Sequence, residues 1–180
     1  GYTMAWSGQY EYMARATARM RVVVPATLAV VFLLLFLNFR NVGETLIVML
    51  SIPFTLVGGV WFLWGLDYDW SVAVTVGFLA LAGVAAETGV VMLVYLDHAW
   101  AKRRREGRAG VRELHAAVME GAVERVRPKM MTVASTMLGL LPILWGTGTG
   151  ASVMKRIAAP MIGGMVSSTL LTLLVIPAIW

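Results

Sequence analysis

The sequence predicts an all-α membrane protein: five transmembrane helices plus a short amphipathic helix on the cytoplasmic side. Three observations lead to this class. The 180 residues are 59% hydrophobic and 14% charged, where a soluble domain carries roughly 25% charged residues. The apolar residues come in long blocks, not in amphipathic stripes. Each block is near the roughly 20 residues that cross a hydrocarbon layer of about 30 Å. Only helices or closed barrels satisfy their backbone in lipid, and these blocks do not alternate, so they are helices.

In chain order, residues 1–19 form a polar, aromatic segment leading from the periplasm into the membrane. The bundle proper is 20–180, with spans at about 20–39, 45–66, 70–96, 127–146 and 157–180. The third span is interrupted by one charge, Glu87. Between the third and fourth spans, residues 97–126 form a cytoplasmic loop. Within it Val111, Leu114, Val118, Ala122 and Val126 recur at spacings of three and four, the pattern of a helix lying along a membrane surface. Its basic neighbour Lys102–Arg105 is placed to meet anionic lipid headgroups. Pro25, Pro53, Pro142, Pro160 and Pro177 fall within or beside spans, where neighbouring helices satisfy the carbonyls that proline frees. They suggest kinked helices that move.

The lysines and arginines orient the bundle, because cytoplasmic loops collect them. One side holds ten: Arg40, Lys102, Arg103, Arg104, Arg105, Arg108, Arg112, Arg125, Arg127 and Lys129. The other holds five: Arg15, Arg19, Arg21, Lys155 and Arg156. The N-terminal end is therefore expected in the periplasm, and 97–129 and the C-terminal end in the cytoplasm. This distribution also accounts for the net charge of +5, so no nucleic-acid partner is inferred. The chain reads as an excised piece of a longer protein.

Several residues carry possible chemistry. Glu87 lies well inside the third span, where a charge costs about 2.5–3.5 kcal/mol on insertion scales. It is surrounded by Ala82, Gly83, Ala85, Ala86 and Gly89, small residues that let helices pack closely. A buried carboxylate there can take up and release a proton near neutral pH; alternatively it is a protonated Glu making one interhelical hydrogen bond. Lys129 opens the fourth span. It is either a snorkelling lysine or a basic partner for Glu87, which lies about 13 Å along its helix from the inner end. That distance requires a helix that starts before its apolar block, or a water bridge.

There are twelve methionines and no cysteine, which rules out disulfides and thiolate metal sites. Met154, Met161 and Met165 cluster at the outer end of the fifth span, the last two on one helix face. Thioethers suit soft monovalent cations, and they also serve as packing filler. His98 and His115 have no second ligand at a useful spacing and read as surface residues. Gly146-Thr147-Gly148-Thr149-Gly150 lacks the Lys-Ser/Thr ending of a phosphate loop and reads as an outer turn. No nucleophile–base pair or ATP site is visible, so any coupling comes from an ion gradient or from other parts of the protein.

Three stretches carry a resemblance. The first is Gly1-Tyr2 with Trp6-Ser7-Gly8-Gln9. The second is Ala80 through Glu87 (ALAGVAAE) with Gly89-Val90-Val91-Met92. The third runs from Arg125-Val126-Arg127-Pro128-Lys129 through Gly139-Leu140-Leu141-Pro142 and Trp145-Gly146-Thr147-Gly148 to the segment Arg156–Met165. Together they resemble the heavy-metal efflux branch of the resistance–nodulation–division (RND) superfamily, and most of all its copper/silver members. The resemblance implies a fragment of a twelve-span pump, its spans eight to twelve, without the N-terminal half. It implies a secondary active transporter, a cation/proton antiporter and not an enzyme, with no cofactor and with the proton gradient as energy source. By it Glu87 and Lys129 form part of a proton relay whose third member is a carboxylate on an absent span. Met154 becomes one of the methionines that step metal through the membrane. A homotrimer with a periplasmic adaptor and an outer-membrane channel is implied too.

The expectation is thus an inner-membrane module that exports Cu(I) or Ag(I) in exchange for protons. Two rivals stand beside it. One is a divalent pump for zinc, cobalt or nickel, although such harder ions favour carboxylate and imidazole ligands. The other is a non-transport assembly or sensory membrane module.

Overall fold

In the computed structural model, residues 8–107 and 110–180 are described. Gly1–Ser7 of the first resemblance stretch, and Arg108, lie outside them. The regular structure of the described residues is all helical, with no strand among them. The helices are α1 Gln9–Phe39, α2 Val42–Gly65, α3 Val72–Arg105, α4 Val111–Trp145, α5 Ala151–Leu170 and α6 Ile176–Ile179, with a π-helical segment Leu171–Val175 between the last two. The chain divides into two compact units, Gly1–Thr45 and Leu46–Trp180.

In the first unit, α1 carries an ion pair between Glu11 and Arg15 in its opening turns. The helix begins at Gln9, so residues 9–19 are helical and continuous with the apolar block. It ends at Arg40, whose φ of 52° is left-handed and whose N–H donates to the Phe36 carbonyl. Asn41 then caps the next helix: its Oδ1 accepts from the Gly43 N–H at 3.0 Å and its Nδ2 donates to Glu44 at 2.8 Å. Such caps satisfy amides that the first helical turn leaves unpaired.

In the second unit, glycines bring α2, α3 and α5 together. A Cβ on Gly163 would collide with the Phe62 side chain and the Gly58 carbonyl of α2, and one on Gly77 of α3 with the Ile157 carbonyl and Pro160 of α5. Small residues matter here because they let backbones approach closely. The Ser167 hydroxyl donates to the Thr55 carbonyl at 2.7 Å across the same α2–α5 seam. Leu63, Val74, Phe78, Leu81 and Ala159 form a core where α2, α3 and α5 meet, with Leu144 of α4 packed against it. Glycine is required at Gly150, whose φ of +84° opens α5. Near the end of the chain Pro177 has no N–H to continue the ladder, and the register loosens before it: the Ile176 N–H bonds to the Leu171 carbonyl five residues back.

Four helices are long and apolar enough to cross a membrane: Ala14–Phe39, Val42–Gly65, Val72–Arg105 and Ala151–Ile179. The block expected as a fourth span, 127–146, forms the second half of α4. Lys129, Thr132, Ser135, Thr136 and Pro142 dilute its hydropathy, and α4 stands outside that set.

The segment expected as a loop with a surface-lying helix at 97–126 is organised differently. Residues 97–105 continue α3 and residues 111–126 are the start of α4. The face of 111–126 that meets α3 is the one carrying Ala117 and Gly121, beside the apolar stripe and not the stripe itself. Ala117 and Gly121 are buried, while Val111 is 84% exposed. Gly121 lies against the Tyr95 carbonyl and Leu96, which a Cβ would meet at about 3.2 Å. The reason is electrostatic as well as steric. Lys102 pairs with Glu120 at 2.9 Å, and Arg103 pairs with both Glu113 and Glu120 at 2.8 Å. The basic run expected to meet headgroups thus spends Lys102 and Arg103 on α4.

Candidate functional site

Lys129 is only 4% exposed. It lies eighteen residues past the start of α4, about 27 Å along the helix, so it sits at mid-helix with its side chain packed inside the bundle. An ammonium in such a place needs an acceptor, because burying an unpaired charge is costly. The acceptor is on α3: Lys129 Nζ donates to Thr88 Oγ1 at 3.1 Å. Thr88 is itself buried and its hydroxyl donates to the Val84 carbonyl at 2.6 Å. With its proton committed to the backbone, Thr88 offers Lys129 its lone pairs.

Glu87, expected to be buried among small residues, is exposed on this chain. Among the described residues it makes no hydrogen bond or ion pair, although its charge acts on Lys129. Gly83, one turn earlier on the same face, has open space where a Cβ would stand. The two therefore mark an open strip of α3, while Thr88, one residue further round, faces α4. The early start of α4 removes the reach problem that the apolar block posed for Lys129. Arg125, one turn before Lys129, stacks over the Tyr95 ring of α3 at 5.6 Å and is the other charge acting on it.

Sequence reasoning missed Thr88. The signal was a hydroxyl residue beside an intramembrane carboxylate, on a helix otherwise built of Ala, Gly, Val and Leu. It missed equally the buried hydroxyls Ser168 of α5 and Thr172 of the π-helical segment.

The methionines are spread out. Met154 is exposed in the first turn of α5, Met161 is half-buried, and Met165 is buried in the bundle. Met154 stands seven residues, about 10 Å, from Met161 along the helix. His98 and His115 are both exposed. No group of three or more His, Cys, Asp or Glu residues is arranged to hold a metal ion among the described residues.

The sequence pattern of the AcrB/AcrD/AcrF family matches residues 1–180, the whole chain. The cation efflux system protein CusA of Escherichia coli (strain K12) is 54% identical over 99% of this chain and 17% of its own length. The putative cation efflux system protein SilA of Salmonella typhimurium is 52% identical over the same shares. The cobalt-zinc-cadmium resistance protein CzcA of Cupriavidus metallidurans is 44% identical over 100% of the chain and 16% of its own length. A crystal structure of a heavy metal efflux pump superposes with a TM-score of 0.81 at 34% identity, covering 99% of this chain and 17% of that one. The chain thus spans about a sixth of the length of the relatives it matches. A match over every residue, together with the superposed helices, places it plainly: the chain belongs to the AcrB/AcrD/AcrF family, among sequences similar to the heavy-metal efflux pumps of the RND superfamily.

Proposed function

We propose that this chain is part of an inner-membrane pump that exports Cu(I) or Ag(I) in exchange for protons, with Glu87 and Lys129 as members of its proton relay. The observation that carries the proposal is Lys129, a buried ammonium at mid-helix, held on α3 beside Glu87. A lysine so placed is expensive unless it works with a titrating partner. Glu87 on the open strip of α3 is the carboxylate within its electrostatic reach. Protonation of Glu87 removes the negative charge that draws the ammonium, and its release restores that charge. Such a swing is what couples a proton to a change of helix packing.

The metal follows from the likeness to the copper/silver branch and from Met154, a soft thioether exposed at the outer end of α5. CzcA, at lower identity, keeps a divalent cation as the alternative cargo. In this reading the second half of α4 is the fourth span, which makes five in all. The remainder of the pump covers the Gly83–Glu87 strip, the assembly is a homotrimer, and a periplasmic adaptor and an outer-membrane channel complete the route.

The test is Glu87→Gln in the full-length pump, reconstituted in proteoliposomes with an imposed pH gradient. Glutamine keeps the shape but cannot release a proton. Metal-driven proton flux should fall by about tenfold or more while assembly and metal binding persist. Near-parental flux would refute the relay assignment. Lys129→Met should behave alike, since a buried lysine, unlike a snorkelling one, loses its only charge-bearing role.

A further inference from the structure

We infer that Thr88 is a positioning residue for Lys129: the acceptor that holds the ammonium on α3 when the neighbouring carboxylate is protonated and no longer draws it. The inference rests on the relay reading above. It goes beyond it by giving the lysine a second, neutral station.

The geometry is specific. Thr88 Oγ1 accepts from Lys129 Nζ at 3.1 Å and donates its own proton to the Val84 carbonyl at 2.6 Å. A hydroxyl whose proton is fixed on the backbone cannot turn to donate elsewhere, so its lone pairs stay toward the lysine. Both side chains are buried, Thr88 at 6% and Lys129 at 4% exposure, so water does not readily replace either partner. The charged groups acting on the ammonium are Arg125 on its own helix and Glu87 on α3. On α5 the titratable side chains, Lys155 and Arg156, lie in its opening turns, and residues 157–180 contribute none, only hydroxyls such as Ser168 and Thr172. With Arg125 repelling and Glu87 neutral, Thr88 is the acceptor left to Lys129 among the described residues.

A merely structural threonine and a positioning one predict different results. Threonine often bonds the carbonyl one turn back, and Thr75 of α3 does so with Ser71 at 3.1 Å without touching a lysine. Thr75→Val is therefore the control for loss of such a bond. In the full-length pump, metal-driven proton flux would be followed against pH with Ag(I) as the driving ion. Thr88→Val keeps the volume and removes the acceptor. It should lower flux about tenfold, and it should move the alkaline limb of the pH profile about one unit toward lower pH, because the charged amine has lost a partner. Thr88→Ser should restore both, and Thr75→Val should change neither. If Thr88→Val does not assemble, Thr88→Ala replaces it and is compared with Thr88→Ser; equal flux and equal profiles in those two overturn the inference. Parental behaviour of Thr88→Val beside an inactive Glu87→Gln overturns Thr88 alone, whereas an active Glu87→Gln removes the relay and this inference with it.

Discussion

Successive side chains on a helix are turned by about 100°, and at positions 87 and 88 that rotation separates two roles. Thr88 meets α4 and its lysine, whereas Glu87 faces the open side. No count of apolar residues reveals which of two adjacent polar positions looks inward, so the sequence singled out Glu87 on α3 and Lys129 on α4 but not which atom Lys129 touches. The methionines pose the same problem. Met161 and Met165 sit at four-residue spacing, yet Met161 is half-buried and Met165 buried in the bundle, surroundings in which methionine readily serves as packing. Met154, in the first turn of α5 and exposed, is free to offer its sulfur. In the full-length pump, Met154→Ile should lower resistance to copper and silver several-fold and leave zinc tolerance unchanged, since isoleucine keeps the volume and removes the soft donor. Growth assays at normal expression decide this, and unchanged resistance assigns Met154 to packing.

Among the elements, α1, α2, α3 and the run from α5 to α6 were each legible as an apolar block, because hydropathy registers where a helix can meet lipid. It does not register where a helix stops. The charges of 97–126 look like a loop in sequence, yet Lys102, Arg103, Glu113 and Glu120 neutralise one another between α3 and α4, and both helices run on. Hydrogen bonds from Lys102, then from Arg103, hold the Glu120 carboxyl below the usual carboxylate range. A carboxylate lowered on folding stabilises the hairpin at neutral pH, and that contribution is lost as pH falls through the lowered value. Amide exchange over residues 106–114, corrected for intrinsic rates, tests this. Glu120→Gln should exchange several-fold faster at pH near neutrality, and the parental protein should approach the variant once acid has protonated Glu120. Identical protection of the two at neutral pH would show that packing of Ala117 and Gly121 alone holds the hairpin.

For the whole molecule, the ten-to-five division of Lys and Arg predicts that the connection between α3 and α4 lies in the cytoplasm and the Gly146–Gly150 turn in the periplasm. The chain lacks cysteine, so this stretch adds no background to labelling. In a full-length pump stripped of other reactive cysteines, Arg105→Cys should resist an impermeant thiol reagent in intact cells and react after permeabilisation, while Gly148→Cys should react in both. Labelling at position 105 in intact cells reverses the orientation. The length of α4 then has a mechanical consequence. Val111 and Lys129 lie on one helix about 27 Å apart, and the ion pairs couple its far end to α3. If that helix tilts by about 10° about Lys129, its Val111 end sweeps about 5 Å at that radius. A tilt about the buried lysine would thus be magnified at the Val111 end, and through the ion pairs it would be felt by the last turns of α3.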